Sequence, residues 1–309
     1  MSAMIRPLSL IGAFVVGWFF PQGAALKWII PWTVGFMLFM TFLGLNFHKI
    51  RIRASHIAIV VLNVLAGVLG YKLVAALSGD HELALAAFFT CMAPTATAAP
   101  AIASFLKREV EYIATGLMLT TFVVMLTLPL LLPWALEGAS AREGFLSDVL
   151  DVARSVALTM VVPIALARVW RAAAPSAAAW PKRFKNVTFT AWVFMVTVIA
   201  CRASAFIRDP ANGVGPQILL SVGAISLLAC VFNFTVGYLI GEKKYRPESS
   251  QTLGQKNTAV MIAFATLYAG PLAALGPTLY VLWHNLWNAA QLAWQARADS
   301  AAEERAARE

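Results

Sequence analysis

Lys256 has the strongest claim to chemistry in this chain. It stands in the run Gly254-Gln255-Lys256-Asn257-Thr258, inside an otherwise apolar stretch from Gln251 to Leu292. An ammonium at bilayer depth costs roughly 2.5–3.5 kcal/mol on insertion scales, so it is rare without a purpose. A second polar pair, His284 and Asn285, sits in the next apolar run, and a segment bounded by Pro94 and Pro100 interrupts an earlier one. Prolines withdraw backbone donors, and Gly254 loosens the chain. Amides and carbonyls at both interruptions are therefore expected to be free to bind something.

No acidic residue falls inside an apolar segment away from its ends, so the sequence offers Lys256 no carboxylate. Three partners remain open. The carbonyls at the C-terminal end of a half-helix carry about half a negative charge, and an ammonium there would be a built-in cation. An anionic substrate could meet it directly. Burial could also make it a proton carrier, which would give proton coupling.

The surrounding elements are those of a membrane protein. Of 309 residues, 60% are hydrophobic and only 13% charged, where a soluble domain carries about 25% charged residues. Mean hydropathy is +0.73. The net charge of +9 resides in short loops between apolar runs, which excludes a nucleic-acid footprint. Cys91, Cys201 and Cys230 form neither a disulfide framework nor a metal set and are expected to pack inertly. No G-x-x-x-x-G-K-[ST] motif is present, so ATP-driven transport by this chain is not expected. With no nucleophile–base pair and no metal-binding carboxylates in the spans, an intramembrane enzyme is not expected either.

Ten apolar segments follow one another, at about 8–21, 28–47, 55–78, 83–106, 111–136, 147–170, 186–207, 215–241, 250–269 and 271–296. The first is read as a retained span rather than a cleaved signal, since no clear A-x-A site follows it. Basic loops alternate with others. Lys49, Arg51 and Arg53 lie after the second segment, Arg168 to Lys185 after the sixth, Lys243 to Arg246 after the eighth, and Lys107 and Arg108 sit diluted by Glu109 and Glu111. The intervening loops carry Asp80 and Glu82, then Glu137, Glu143 and Asp148; Arg202 and Arg208 in the seventh loop fit least well. The pattern puts both termini in the cytoplasm. His48, His56 and His81 fall at span ends and are expected to be solvated. Trp18, Trp28, Trp32, Trp134, Trp170, Trp180 and Trp294 mark an expected interfacial belt. Asn63 and Asn233 suit helix-to-helix hydrogen bonds; Thr120 and Thr121 could face the interruption, although bonds to their own helix backbone are the commoner use of threonine.

The fourth and ninth segments are the interrupted ones, which divides the chain into halves of five, 1–140 and 141–297, followed by a tail, 298–309. An odd number of spans per half makes the second half inverted, and matched interruptions point to a transporter's binding site. The expected fold is an all-α polytopic membrane protein of ten transmembrane helices in two inverted five-helix repeats.

Four stretches in order resemble the bile acid:sodium symporter family. FNFTVGYLIG with the following G-Q-K-N-T resembles the end of span 8 and the G-x-Q-N motif of span 9; Trp283-His284-Asn285 resembles a triplet on span 10. APTATAAPAIASFLKR sits where members have a C-P-G-G-T-A-S-N crossover, and Val161–Val169 fits span 6. The resemblance implies a panel domain (spans 1, 2, 6, 7), a core domain (spans 3–5, 8–10), and broken helices 4 and 9 crossing in the core. It implies import of organic anions, carboxylates or sulfonates, with sodium beside the crossing. It assigns substrate contact to Thr97, Asn257, His284 and Asn285.

Departures from the family fall on the cation site. Thr252 stands in place of a sodium-binding Glu, Lys256 in place of a Gln, Ala99-Pro100 in place of Ser-Asn, and Asn63 in place of the span-3 Gln. The coupling site is accordingly expected at Lys256, Gln255, Thr252, Asn63, Thr95 and Thr258, without sodium and with no cofactor. The expected function is an organic-anion carrier not coupled to sodium. The alternatives are a conventional sodium symporter and a channel or sensor on the same fold.

Overall fold

A computed structural model describes residues 5–137, 145–212 and 214–306. The segment 138–144, which holds Glu143 and the expected boundary between the halves, lies outside the described residues, as does the tail end 307–309. Among the described residues the chain is helical throughout, with one isolated backbone bridge between Thr95 and Lys256.

Six helical stretches are long and apolar enough to cross a membrane: Pro21–Gly44, Ala54–Ser78, Val110–Leu136, Phe145–Ala173, Lys185–Arg208 and Pro216–Ile240. The protein is a polytopic integral membrane protein. Helix α3 (Ala54–Ser78) shows why. Ile57, Val61, Leu65, Leu69, Leu73 and Leu77 recur every fourth residue as a stripe winding along the helix, and each is at least 44% exposed. Water would penalise such a stripe along the whole helix, whereas hydrocarbon accepts it. The opposite face is small or polar (Asn63, Ala66, Gly67) and turns inward.

The other elements follow from caps and breakers. Helix α1 spans Ile5–Phe19, and α2 (Ile29–Gly44) follows a 3₁₀ turn at Pro21–Trp28. Gly79 ends α3 in the left-handed region at φ 66°, and Asp80 caps α4 (His81–Met92) by accepting the Leu83 N–H at 3.0 Å. Ala93 leaves helical geometry, and Pro100, in the first turn of α5 (Ala99–Phe105), restarts it. Helix α6 covers Val110–Glu137. Helices α7 (Phe145–Val156) and α8 (Val162–Ala173) form one rod through a π turn at Ala157–Val161. A short α9 (Trp180–Arg183) leads into α10 (Lys185–Arg208), and α11 covers Pro216–Ile240. The second interruption separates α12 (Arg246–Gly254) from α13 (Thr258–Tyr268). Gly270, at φ 92°, then allows the turn into α14 (Pro271–Ala306).

Three expectations need correction. The ninth segment begins at Arg246 rather than about 250, because Pro247 suits a first helical turn; this brings Glu248 into the helix, 4% exposed. Arg202 is not in a loop but inside α10. His56 is fully buried rather than solvated: its Nδ1 accepts the Arg53 N–H at 3.1 Å, and its Nε2 lies 3.0 Å from the Tyr112 carbonyl. Those partners fix the Nε2–H tautomer. Of the expected belt, Trp18, Trp28, Trp32, Trp170 and Trp294 are exposed, while Trp134 and Trp180 are half-buried against Tyr71 and Trp170.

Candidate functional site

Breaking two helices frees backbone groups, and the expectation was that these would be available to a ligand. The structure places the two breaks against each other, and they consume one another's groups. The Ala96 N–H donates to the Gln255 carbonyl at 2.7 Å, and the Asn257 N–H donates to the Pro94 carbonyl at 2.6 Å. Thr95 donates its hydroxyl to the Thr252 carbonyl at 2.7 Å, and the Thr95 N–H donates to Thr120 Oγ1 at 3.0 Å. Tyr280 donates to the Gly254 carbonyl at 2.7 Å. Paired backbone here is what burial requires. Side chains, rather than main chain, are left to face a ligand.

Gly254 proves to be a matter of space, not of loosened backbone. A Cβ there would lie 2.4 Å from the Phe234 ring, which packs flat against the end of α12.

The Lys256 side chain, 1% exposed, runs to the end of α4. Its Nζ donates to Asn63 Oδ1 at 2.5 Å and to the Cys91 carbonyl at 3.0 Å, while Asn63 Nδ2 donates to the Met92 carbonyl at 3.1 Å. Of the three partners the sequence left open, a half-helix C-terminus is therefore the one in contact. The carbonyls of Cys91 and Met92 belong to the last turn of α4, where the helix dipole is negative. No carboxylate reaches Lys256 among the described residues.

Beside the crossing lies a cavity of about 1000 Å³. Gln255, Lys256, Asn257, Thr258, Thr97, Pro100, His284 and Asn285 all line it. Asn63, Thr95, Thr252, Pro94 and Gly254 are not on its wall; they form the layer behind, holding the crossing and the lysine. Asn257 is the N-cap of α13 yet makes no capping bond, and Asn285 donates Nδ2 to the Val281 carbonyl at 2.7 Å. His284 is 8% exposed, and its Nδ1 has no hydrogen-bond partner among the described residues.

Sequence reading missed part of this wall. Gln255 Nε2 donates to Asn288 Oδ1 at 2.5 Å and to Gln251 Oε1 at 3.1 Å, and Gln251 donates in turn to Gln291. This amide chain ties α12 to α14. Its signal was present in the spacing: Gln251 and Gln255 are four apart, and His284, Asn288 and Gln291 share one helical face. The opposite wall comes from α2 (Met37, Met40, Thr41) and α10 (Thr188, Phe189, Trp192), again at three- and four-residue spacing. Lys49, Lys182 and Lys185 stand at the cavity's end with one acid, Glu111, which Lys49 meets at 3.0 Å. Of the two threonines that could face the crossing, Thr120 holds Thr95 there and also bonds its own helix, while Thr121 bonds its own helix.

No protein-family model matches the chain, and no curated protein matches it in sequence.

Proposed function

We propose that the protein is a secondary carrier of a small organic anion, a carboxylate or sulfonate, in which Lys256 occupies the place a coupling cation would take. One observation carries the reading: the buried, unpartnered Nδ1 of His284 accompanies Asn257, Thr97 and Lys256 on the wall of a single cavity at the helix breaks. These groups are hydrogen-bond donors or amphoteric, and none is a carboxylate. The start of α13 adds the positive end of its helix dipole, with Thr258 on the cavity wall. An anion is the ligand that such a wall stabilises. Three lysines at the open end raise its local concentration.

The carrier reading draws further support from paired packing. Helix α3 packs on α4 as α11 packs on α12, and α1 packs on α10 as α2 packs on α8. Two inverted five-helix repeats would generate these correspondences, with ten crossings, α1, α2, α7–α8 and α10 as the panel, and the rest as the core. With both termini cytoplasmic, as the basic loops argue, the open cavity faces the cytoplasm. The order of motifs resembles that of carriers of the bile acid:sodium symporter type, which supports the same reading. Sodium lacks its carboxylate here, and the half-helix end it would use already holds an ammonium.

Purified protein in liposomes tests this. A panel of mono- and dicarboxylates and sulfonates would be ranked by thermal stabilisation, and the best assayed for counterflow. Uptake accelerated by the same anion pre-loaded inside supports the carrier; saturable uptake with no trans-acceleration would sink it in favour of a channel.

A further inference from the structure

Arg202 has no role in the site just described and sits where a cation is least expected. Trp192 of α10 lines the cavity, and ten residues on, roughly 15 Å along the axis, comes Arg202. Six residues further, Arg208 lies 4.6 Å over the Trp18 ring, as at a membrane interface. Arg202 thus lies between the cavity and the end of the bundle opposite Lys49, Lys182 and Lys185.

That end is shut. Ala203 and Phe206 of α10 pack with Leu272 and Leu275 of α14, and a void of about 10 Å³ remains between Arg202, Thr266, Pro271 and Ala274. The Arg202 side chain is half-buried in this apolar seam. Its Nη1 is buried without a hydrogen-bond partner, and no acid pairs with it among the described residues. A guanidinium with one nitrogen buried and unpaired in an apolar contact is a standing cost that folding alone gives no reason to carry. It acquires a use once the seam parts, because the same movement would put a planar, five-donor cation at the head of a second mouth.

We infer that Arg202 is the anion-capturing group of that second mouth, taking a carboxylate or sulfonate from the side opposite the lysine-lined opening. The inference rests on the carrier reading above, since it needs the seam between α10 and the α13–α14 turn to open.

The test needs no identified substrate. Ala274→Cys, and independently Thr266→Cys, are made in a Cys201→Ala background in oriented vesicles. Each is exposed from the sealed side to a sulfonate-bearing and a trimethylammonium-bearing methanethiosulfonate, and the label is located by peptide mass. The sulfonate reagent is expected to react faster. Replacing Arg202 with Gln should lower the anion-to-cation rate ratio by roughly tenfold, as removing a unit charge a few ångströms away does even at water-like screening, and Arg202→Lys should largely restore it. A purely structural arginine would leave the ratio unmoved, so labelling with an unchanged ratio overturns the role of Arg202 and leaves the carrier standing. Should neither cysteine label from the sealed side while Thr188→Cys labels from the lysine side, there is no second mouth, and the carrier reading falls with it.

Discussion

An ammonium buried to 1% exposure must be matched by acceptors fixed before it arrives, and Lys256 is matched by Asn63 and the last turn of α4. Removing either side strands the other. Lys256→Met leaves Asn63 Oδ1 and the Cys91 carbonyl without their donor, and Asn63→Leu leaves the ammonium with one acceptor. Each stranded buried group costs about 1–3 kcal/mol. Measured by thermal unfolding in detergent, the double variant Lys256→Met/Asn63→Leu should be more stable than the sum of the singles, by a coupling of about 0.5–3 kcal/mol. Additive losses would mean that the contact carries no energy. The importance of Lys256 was legible in the sequence, because a charge among apolar residues announces itself. Its partner was legible only as one of three candidates, because a carbonyl at a helix end belongs to every sequence alike and nothing in composition says which helix end will be near.

At the scale of elements, the two breaks were legible as Pro94, Pro100 and the run beginning at Gly254, but their mutual pairing was not. Backbone bonds such as Ala96 to Gln255 join residues far apart in the chain and leave no trace in composition. The amide chain from Gln255 through Asn288 is intermediate: helical spacing aligns its members, yet only the fold brings the end of α12 within side-chain reach of α14 and makes them partners. Asn288→Leu should therefore destabilise by about 1–3 kcal/mol through the orphaned Gln255 amide, whereas Asn288→Gln should recover part of the loss. Gly254→Ala should cost about 1–3 kcal/mol by overpacking against Phe234. The second-site change Phe234→Leu should relieve it; if Gly254→Ala is neutral in a melting experiment, the ring does not confine the glycine.

Across the whole molecule, composition and repeated long apolar runs, that of α3 among them, made the membrane assignment readable. Which face met lipid was not readable, because that helix is apolar nearly all round and only the exposed row Ile57 to Leu77 distinguishes its sides. Leu69→Arg on that row should impair insertion, at roughly 2.5–3.5 kcal/mol near mid-bilayer, and reduce the membrane-inserted yield. Undiminished yield would argue that this face does not meet lipid. The claim on which the rest depends is that the ammonium of Lys256 has taken the cation's place. The direct measurement is thermal stability in nanodiscs with sodium, potassium or choline chloride at equal ionic strength. Sodium at a hundred times its dissociation constant would add about 2.7 kcal/mol, so a surviving site could not go unseen. The expected result is one melting temperature in all three salts, lowered in Lys256→Met. A rise specific to sodium in the unmodified protein would contradict it and return the chain to ordinary sodium symport.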